Sequence, residues 1–232
     1  MARLSQYVSN LSNSLTLTLT AKAAEMKKTG IKVCGLVAGE PDFDTPEPIR
    51  QAGIRAIQEG FTRYTDSRGI TELRTAIAKR IKQKLGVDYG IGDITIANGG
   101  KQAIFSALAA VCNPGDEVLI PVPYWLSYPE MAQALLAVPK FIPTREADDL
   151  KLTPGALEAA ITLKSRILIL NSPGNPTGTV YTRQELEALV PVLKKHPDLY
   201  VISDEIYDEL VYDGQTAPSL LTLAPELRHR II

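Results

Sequence analysis

Short apolar runs alternate with longer amphipathic segments through most of this chain. Runs this short, bounded by Gly, Pro, Asn or Asp, predict buried strands, and the segments between them have the apolar spacing of helices. Strands that alternate with helices predict βαβ crossovers and an α/β fold with a mostly parallel sheet. Because the runs are continuously apolar, we expect helices on both faces of that sheet. The predicted strands are 33–37, 94–97, 118–120, 138–142, 167–170 and 199–203, with another beginning at 230–232.

Helices are predicted where caps and a four-residue apolar spacing coincide. Residues 45–47, Thr-Pro-Glu, supply a cap, a proline at the first helical position and an early acid. Residues 70–85 place apolar side chains at every fourth position, which is one helical face. The predicted helices are 21–28, 45–59, 70–85, 101–112, 125–136, 154–163 and 182–195.

Composition narrows the class of protein. The 232 residues are 45% hydrophobic and 22% charged with a net charge of −1, which indicates a globular protein and argues against partners such as nucleic acid or an anionic membrane. No apolar run approaches the roughly 20 residues of a membrane span. The two histidines lack metal-ligand neighbours, so no metal is expected, and the two cysteines are expected to be reduced thiols. Without a signal-peptide pattern, the expected location is cytoplasmic.

The first candidate for chemistry is the sequence Asn-Gly-Gly-Lys-Gln at 98–102, between a predicted strand and an apolar helix. Glycines there allow a close backbone approach, and the first N–H groups of a helix can bind a phosphate. The spacing matches neither a Walker loop nor a dinucleotide fingerprint. A tight strand-to-helix turn would use the same glycines, so both interpretations stay open.

Two further loops follow predicted strands. Trp125 can stack on a planar ligand or merely pack at a helix start. Asn175 lies in a loop bounded by Pro and Gly, and Asp204 and Tyr207 lie three residues apart after the last internal strand. Ligands of open α/β sheets bind at the carboxyl ends of the strands. This amide, carboxylate and phenol therefore predict a binding site for a planar, nitrogen-containing ring. Alternatively, Asp204 only caps the next segment.

Taken together, these loops resemble the class I aminotransferases, the aspartate aminotransferase family of pyridoxal-phosphate enzymes, and most of all its bacterial-type branch. The resemblance implies an aspartate aminotransferase-like large domain, incomplete, over residues 45–232, and an N-terminal arm belonging to the small domain over 1–44. The matching stretches are 39–43, Tyr64 with Gly69, 99–102, 123–128, 171–178 and 203–207.

The resemblance implies which residues bind the cofactor, pyridoxal 5′-phosphate. Gly100 and Lys101, with Gln102 nearby, match the loop that holds the phosphate, and Trp125 matches the aromatic that stacks on the ring. Tyr64 matches a tyrosine that reaches the phosphate of the neighbouring subunit, which implies a homodimer.

The same resemblance assigns the ring contacts and the catalytic groups. Asn175 and Tyr207 match the groups that hydrogen-bond the phenolic oxygen of the ring. Asp204 matches the acid that pairs with the pyridine nitrogen, where a charge-assisted hydrogen bond keeps the ring protonated. Asp204 and Tyr207 are therefore the expected catalytic residues.

Substrate contacts follow from the resemblance as well. Gly39 matches a backbone contact to the substrate carboxylate, and Trp125 and Asn175 are expected to contact the substrate. Lys101 has a second possible role, facing the distal carboxylate of the substrate with help from Thr16. These contacts imply transamination between aspartate, or another dicarboxylic amino acid, and a 2-oxo acid.

The family forms a Schiff base with a lysine that follows the Asp-to-Tyr motif by one strand. That lysine is absent up to Ile232, so we expect this chain alone to fold poorly and to be inactive. Two alternatives remain: a lyase or synthase of the same fold that also uses pyridoxal phosphate, and a non-catalytic binding module.

Overall fold

The computed structural model describes residues 15–35, 39 and 41–232. Those residues divide into two compact units, the described part of Ser12–Thr65 and the segment Asp66–Ile232. The domain boundary expected between residues 44 and 45 remains a prediction about the family's architecture.

The larger unit is built on a four-stranded parallel sheet. Its strands are β1 (Glu117–Val122), β2 (Val138–Pro143), β3 (Ser165–Asn171) and β4 (Tyr200–Asp204). Their order across the sheet is β2-β1-β3-β4, and every neighbouring pair is parallel. Four of the predicted strands are thereby confirmed: β1, β2 and β3 are longer than predicted by one to three residues, and β4 is shifted by one residue.

Helices connect the strands and surround the sheet. The smaller unit holds α1 (Leu15–Lys28) and α2 (Glu47–Gln58). The larger unit holds α3 (Thr71–Leu85), α4 (Gly100–Val111), α5 (Ser127–Ala134), α6 (Pro154–Ala160), α7 (Arg183–Lys195) and α8 (Leu220–Leu223), with 3-10 turns at Ile91–Asp93, Glu146–Asp148 and Pro225–Arg230. Among the described residues, no helix combines the length and the apolar character that crossing a membrane requires.

Side chains of each strand alternate between two apolar clusters. Along β3, Leu168 and Leu170 pack on one face with helices α6, α7 and α8, whereas Ile167 and Ile169 pack on the other face with α4 and α5. All four are at most 3% exposed. The sheet is therefore covered on both faces, as the continuous apolar runs predict.

The chain approaches the sheet once more at its last described residues. Ile231 forms a parallel bridge with Val201 of β4, the N–H of Ile232 donates to the Val201 carbonyl, and the N–H of Ser203 donates to the Ile232 carbonyl, both at 2.8 Å. The pairing is an isolated bridge at Ile231, and Arg230 still belongs to the preceding 3-10 turn, so the strand predicted from residue 230 is seen only as this single bridge beside β4.

Two strand predictions differ from the structure. Residues 94–97 form no strand, because the backbone there has no neighbouring strand: the N–H of Ile96 donates to the Arg68 carbonyl of a loop instead. The strand predicted over 33–37 lies partly outside the described residues, and 31–35 are irregular. The helix predicted from Trp125 begins at Ser127, so the indole lies in the loop before α5.

Candidate active site

The carboxyl edge of the sheet borders a cavity of about 320 Å³. Loops that follow β1, β3 and β4 meet there with the turn before α4, because the carboxyl ends of parallel strands share one edge. Its volume lies within the range of small-molecule sites. The lining residues are Asn98, Gly99, Gly100, Lys101, Ile104, Trp125, Tyr128, Asn171, Asn175, Asp204, Ile206 and Tyr207.

The Asp204 carboxylate is held at one end of this cavity. Its Oδ2 accepts a hydrogen bond from the Tyr128 hydroxyl at 2.6 Å, and its Oδ1 accepts one from the Ile206 N–H at 3.3 Å. The Asn171 side-chain amide donates to the Asp204 carbonyl at 2.8 Å and joins the ends of β3 and β4. The carboxylate is therefore fixed in place while it borders the cavity.

Tyr128 is a site residue that the sequence analysis did not single out. Its side chain is 2% exposed. Burial, together with the negative charge of Asp204, raises the pKa of the Tyr128 phenol well above its usual range, so the hydroxyl stays protonated and donates to Asp204. One signal was available: Tyr128 follows Trp125 by three residues, which is nearly one helical turn.

Asn175 and Tyr207 come together beside Asp204. The Asn175 Nδ2 lies 3.4 Å from the Tyr207 hydroxyl, and the Asn175 backbone N–H donates to the Asn171 Oδ1 at 2.7 Å. Gly174 makes this loop possible, because a Cβ on Gly174 would lie 2.9 Å from the Thr177 Oγ1. An amide and a phenol thus present hydrogen-bonding groups to the cavity at the same end as the carboxylate.

Trp125 forms an aromatic wall of the cavity. Its ring contacts the Tyr128 ring edge-on, with centroids 5.4 Å apart and planes at 88°. The Lys101 ammonium lies 5.2 Å from the indole centroid, a cation–π arrangement. The cavity therefore combines a flat apolar surface with a positive charge.

A glycine turn forms the opposite end of the cavity. Gly99 has φ +84° and ψ 166°, a conformation essentially restricted to glycine, and α4 begins at the next residue without a side-chain cap. The first N–H groups of this 12-residue helix are the kind of donors that bind phosphate. The Gln102 side chain is not in the cavity wall, because its Oε1 accepts the Asn98 backbone N–H at 2.5 Å and closes the turn.

Three predicted site residues belong to the smaller unit, Ser12–Thr65, whereas the residues that line the cavity all belong to the larger unit. Gly39 is a single described residue between undescribed neighbours, and the Tyr64 side chain is fully exposed. Thr16 lies in α1, but its side chain is outside what the structure describes. The roles of all three residues stay predictions.

The donor set of the cavity fits pyridoxal phosphate. Asp204 is a carboxylate suited to a protonated ring nitrogen, and the Asn175 amide and the Tyr207 phenol suit a phenolic oxygen. The turn at 99–101 offers backbone N–H groups and an ammonium to a dianionic phosphate at the other end. The Trp125 indole contacts both the Lys101 ammonium of that turn and the Tyr128 ring that is hydrogen-bonded to Asp204, so it lies between the two ends, where a planar ring would stack.

Comparison with known proteins agrees with this site. The family model described as aminotransferase class I and II matches residues 31–232. The bifunctional aspartate aminotransferase and glutamate/aspartate-prephenate aminotransferase of Petunia hybrida is 50% identical over 220 residues, which are 95% of this chain and 46% of the petunia protein. The chain thus spans about half the length of this curated relative.

Solved structures show the same likeness. The aspartate aminotransferase from Rhizobium meliloti matches with a TM-score of 0.95 and 39% identity, over 100% of this chain and 58% of that one. The Thermus thermophilus aspartate aminotransferase, solved with maleate, matches with a TM-score of 0.92 and 39% identity, over 100% of this chain and 59% of that one. Because the family model covers most of its length, this chain belongs to the class I and II aminotransferases.

Proposed function

We propose that this chain forms the cofactor-holding part of a pyridoxal-phosphate aminotransferase that moves an amino group between aspartate, or another dicarboxylic amino acid, and a 2-oxo acid. One observation carries the proposal: the Asp204 carboxylate, fixed by Tyr128 at 2.6 Å, borders a cavity whose other end is an uncapped helix N-terminus. That arrangement matches a ring nitrogen at one end and a phosphate at the other.

Each residue of the cavity has a distinct task in this proposal. When bound, pyridoxal phosphate supplies an electron sink for the α-carbon of the amino acid. Asp204 holds a proton on the ring nitrogen through a charge-assisted hydrogen bond, of about 1.5–3 kcal/mol for such bonds. Asn175 and Tyr207 hydrogen-bond the phenolic oxygen, and Trp125 excludes water from one face of the ring.

Lys101 has two possible roles in this proposal, binding the substrate or binding the cofactor phosphate, and an experiment distinguishes them. If its ammonium binds the distal carboxylate of the substrate, Lys101→Ala lowers kcat/KM for aspartate and leaves a monocarboxylic donor and the cofactor affinity unchanged. If it binds the cofactor phosphate, Lys101→Ala lowers the affinity for pyridoxal phosphate and lowers kcat/KM equally for both amino donors. Lys164→Ala, at the exposed amino end of β3, is the matched control. The Thermus relative was solved with maleate, a dicarboxylate, which supports a dicarboxylic substrate.

We propose further that the enzyme is a cytoplasmic homodimer in which Tyr64 binds the phosphate of the neighbouring subunit. Both described cysteines are free thiols, the usual state in a reducing compartment. Exposed apolar side chains of the smaller unit suit a subunit interface. These side chains are Phe43, Ile49, Ile57, Phe61 and Tyr64.

Mixed subunits test this exchange of Tyr64. We expect Tyr64→Ala and Asp204→Ala subunits to be impaired alone, and mixing them to restore activity. In the mixed dimer one site holds both an intact Asp204 and an intact Tyr64. No recovery on mixing, with dimers confirmed by sedimentation, would show that Tyr64 acts within its own subunit.

The test of the whole proposal uses the protein encoded by the complete reading frame that contains this chain. Cofactor-free protein is titrated with pyridoxal phosphate, and binding is followed by absorbance and circular dichroism of the cofactor. A panel of amino donors then identifies the substrate. Lack of cofactor binding by correctly folded protein would overturn the proposal, and release of sulfide or a cyclic product in place of a 2-oxo acid would change the reaction class.

A further inference from the structure

The turn that carries the ring-binding groups has little to hold it on its cavity side. Residues 206–209 follow β4 as a turn in which Tyr207 and Asp208 are partly buried, whereas Ile206 and Leu210 are both more than half exposed. Among the described residues, the Tyr207 hydroxyl has one long hydrogen-bond contact, 3.4 Å, to Asn175. Local backbone bonds, such as the Leu210 N–H to the Tyr207 carbonyl at 2.8 Å, shape the turn but do not fix it to the sheet.

A group of ion pairs holds the same turn from its opposite side. Lys84, at the end of α3, places its ammonium 2.5 Å from the Asp208 Oδ2 and 2.7 Å from the Glu209 Oε1. Arg80, one helical turn earlier, lies 2.6 Å from the same Glu209 oxygen. The Lys84 and Asp208 side chains are 34% and 29% exposed, so this pair is partly shielded from water. These contacts join segments more than 120 residues apart.

Glu205 adds a second attachment on that side. Its Oε1 accepts hydrogen bonds from the Ser203 hydroxyl at 2.7 Å and from the Ser219 hydroxyl at 2.8 Å. Asp204 and Tyr207 therefore line the cavity, whereas Glu205, Asp208 and Glu209 are bound to other parts of the fold. Glu205 secures the beginning of the turn, which leaves its far end to Lys84.

We propose that Lys84 is a positioning residue for the cofactor ring, acting through Asp208 and Glu209 on Tyr207. Asp208 follows Tyr207 directly, so its attachment to α3 determines where the Tyr207 hydroxyl lies. The inference rests on the proposed function. Ion pairs at such exposure contribute little to stability, so removing Lys84 is expected to move the phenol more than to unfold the protein.

The experiment uses the protein from the complete reading frame and compares Lys84→Met with Lys82→Met. Lys82 lies on the same helix and pairs with Asp88 at 2.8 Å rather than with an acid of the turn, so it is a matched control. Affinity for pyridoxal phosphate is measured on cofactor-free protein, and the pH of the absorbance change of the bound cofactor is followed because it depends on the hydrogen bond that Tyr207 would donate to the phenolic oxygen. Thermal unfolding is measured in parallel.

We expect Lys84→Met to weaken cofactor binding by about threefold to tenfold and to shift the spectral pH transition, with a small change in unfolding temperature. Lys84→Arg is expected to keep the wild-type cofactor affinity and spectral pH transition, and Lys82→Met is expected to resemble the wild type. The double variant Asp208→Asn with Glu209→Gln should reproduce the defect and replaces Lys84→Met if that variant fails to fold. If the wild-type protein binds the cofactor and Lys84→Met behaves like Lys82→Met, the inference is overturned. If the wild-type protein binds no cofactor, the proposed function is overturned instead.

Discussion

The two ends of the cavity are built in different ways. The end that would bind the ring is assembled from side chains of separate segments of the chain: Tyr128 and Asp204 are 76 residues apart, and Asn175 and Tyr207 are 32 apart. The end that would bind the phosphate is a single run, 98–102, whose shape is set by a glycine conformation and by the start of α4. The first depends on the whole sheet, whereas the second is local. Substitutions at the ring end are therefore expected to lower mainly kcat, and substitutions at the phosphate end to lower mainly the affinity for the cofactor.

Removing the ring-nitrogen partner is expected to have the largest effect. Asp204→Ala should lower kcat by about 100-fold or more, with a smaller change in cofactor affinity, because the carboxylate stabilises the protonated ring during reaction rather than the bound state alone. Steady-state kinetics on the protein from the complete reading frame measure it. Asp88→Ala, an exposed carboxylate, is the control. Undiminished turnover of Asp204→Ala would refute the role.

Gly99→Ala tests the phosphate end. A Cβ on Gly99 meets no atom within 4 Å, so the variant isolates the backbone conformation, whose cost for an L-residue is about 1–3 kcal/mol. We expect cofactor affinity to fall about tenfold while kcat at saturating cofactor changes little. Gly155→Ala, in α6 with ordinary backbone and open space, is the matched control. A loss confined to kcat would contradict the assignment of this turn to the phosphate.

Tyr128→Phe sharpens the account of the ring end. It removes the donor to Asp204 while keeping the ring that packs against Trp125. Because a hydrogen bond to a charged group contributes about 1.5–3 kcal/mol, we expect kcat to fall about tenfold, less than for Asp204→Ala. Tyr200→Phe, at the amino end of β4, is the control. Wild-type kcat in Tyr128→Phe would show that the Asp204 carboxylate is held by its backbone contacts alone.

The smallest expected effect concerns Glu205. Burial raises the pKa of the Glu205 carboxyl, so the folded protein holds that proton more tightly than the unfolded chain. Its contribution to stability is therefore fully present below the usual carboxyl pKa and lost as pH rises through the folded pKa. Glu205→Gln should accordingly stabilise the protein more at pH 7 than at pH 4, measured as the change in unfolding temperature. An advantage that is equal at both pH values would contradict this reasoning.

Sequence patterns predicted the sheet well because the strands are buried on both faces. Continuous apolar runs located β1 to β4, and the observed bounds differ from the predicted ones by no more than two residues at either end. The pattern at 94–97 was misleading for a physical reason. An apolar run reports burial, but a strand also needs a neighbour, and Ile96 bonds to a loop carbonyl instead.

Some residues of the candidate site could be predicted from the sequence and others could not. Trp125, Asn175, Asp204 and Tyr207 could be selected from the sequence because their residue types follow predicted strands, and their places on one cavity wall agree with that choice. Gln102 was selected from its neighbourhood and is directed into its own turn. Tyr128 ends the matching stretch 123–128, but no local pattern indicates that its hydroxyl donates to Asp204.

The sequence by itself determined the alternation of strands and helices, the glycine turn before α4 and the residue types at the carboxyl ends of the strands. All of these depend on nearest neighbours or on periodic burial. Only the tertiary structure decided that Tyr128 donates to Asp204, that Asn175 meets Tyr207, and that Lys84 binds the two acids of the turn after β4. Those contacts join residues that are far apart in the chain, and no local pattern encodes a pairing whose geometry is set by how the whole sheet packs.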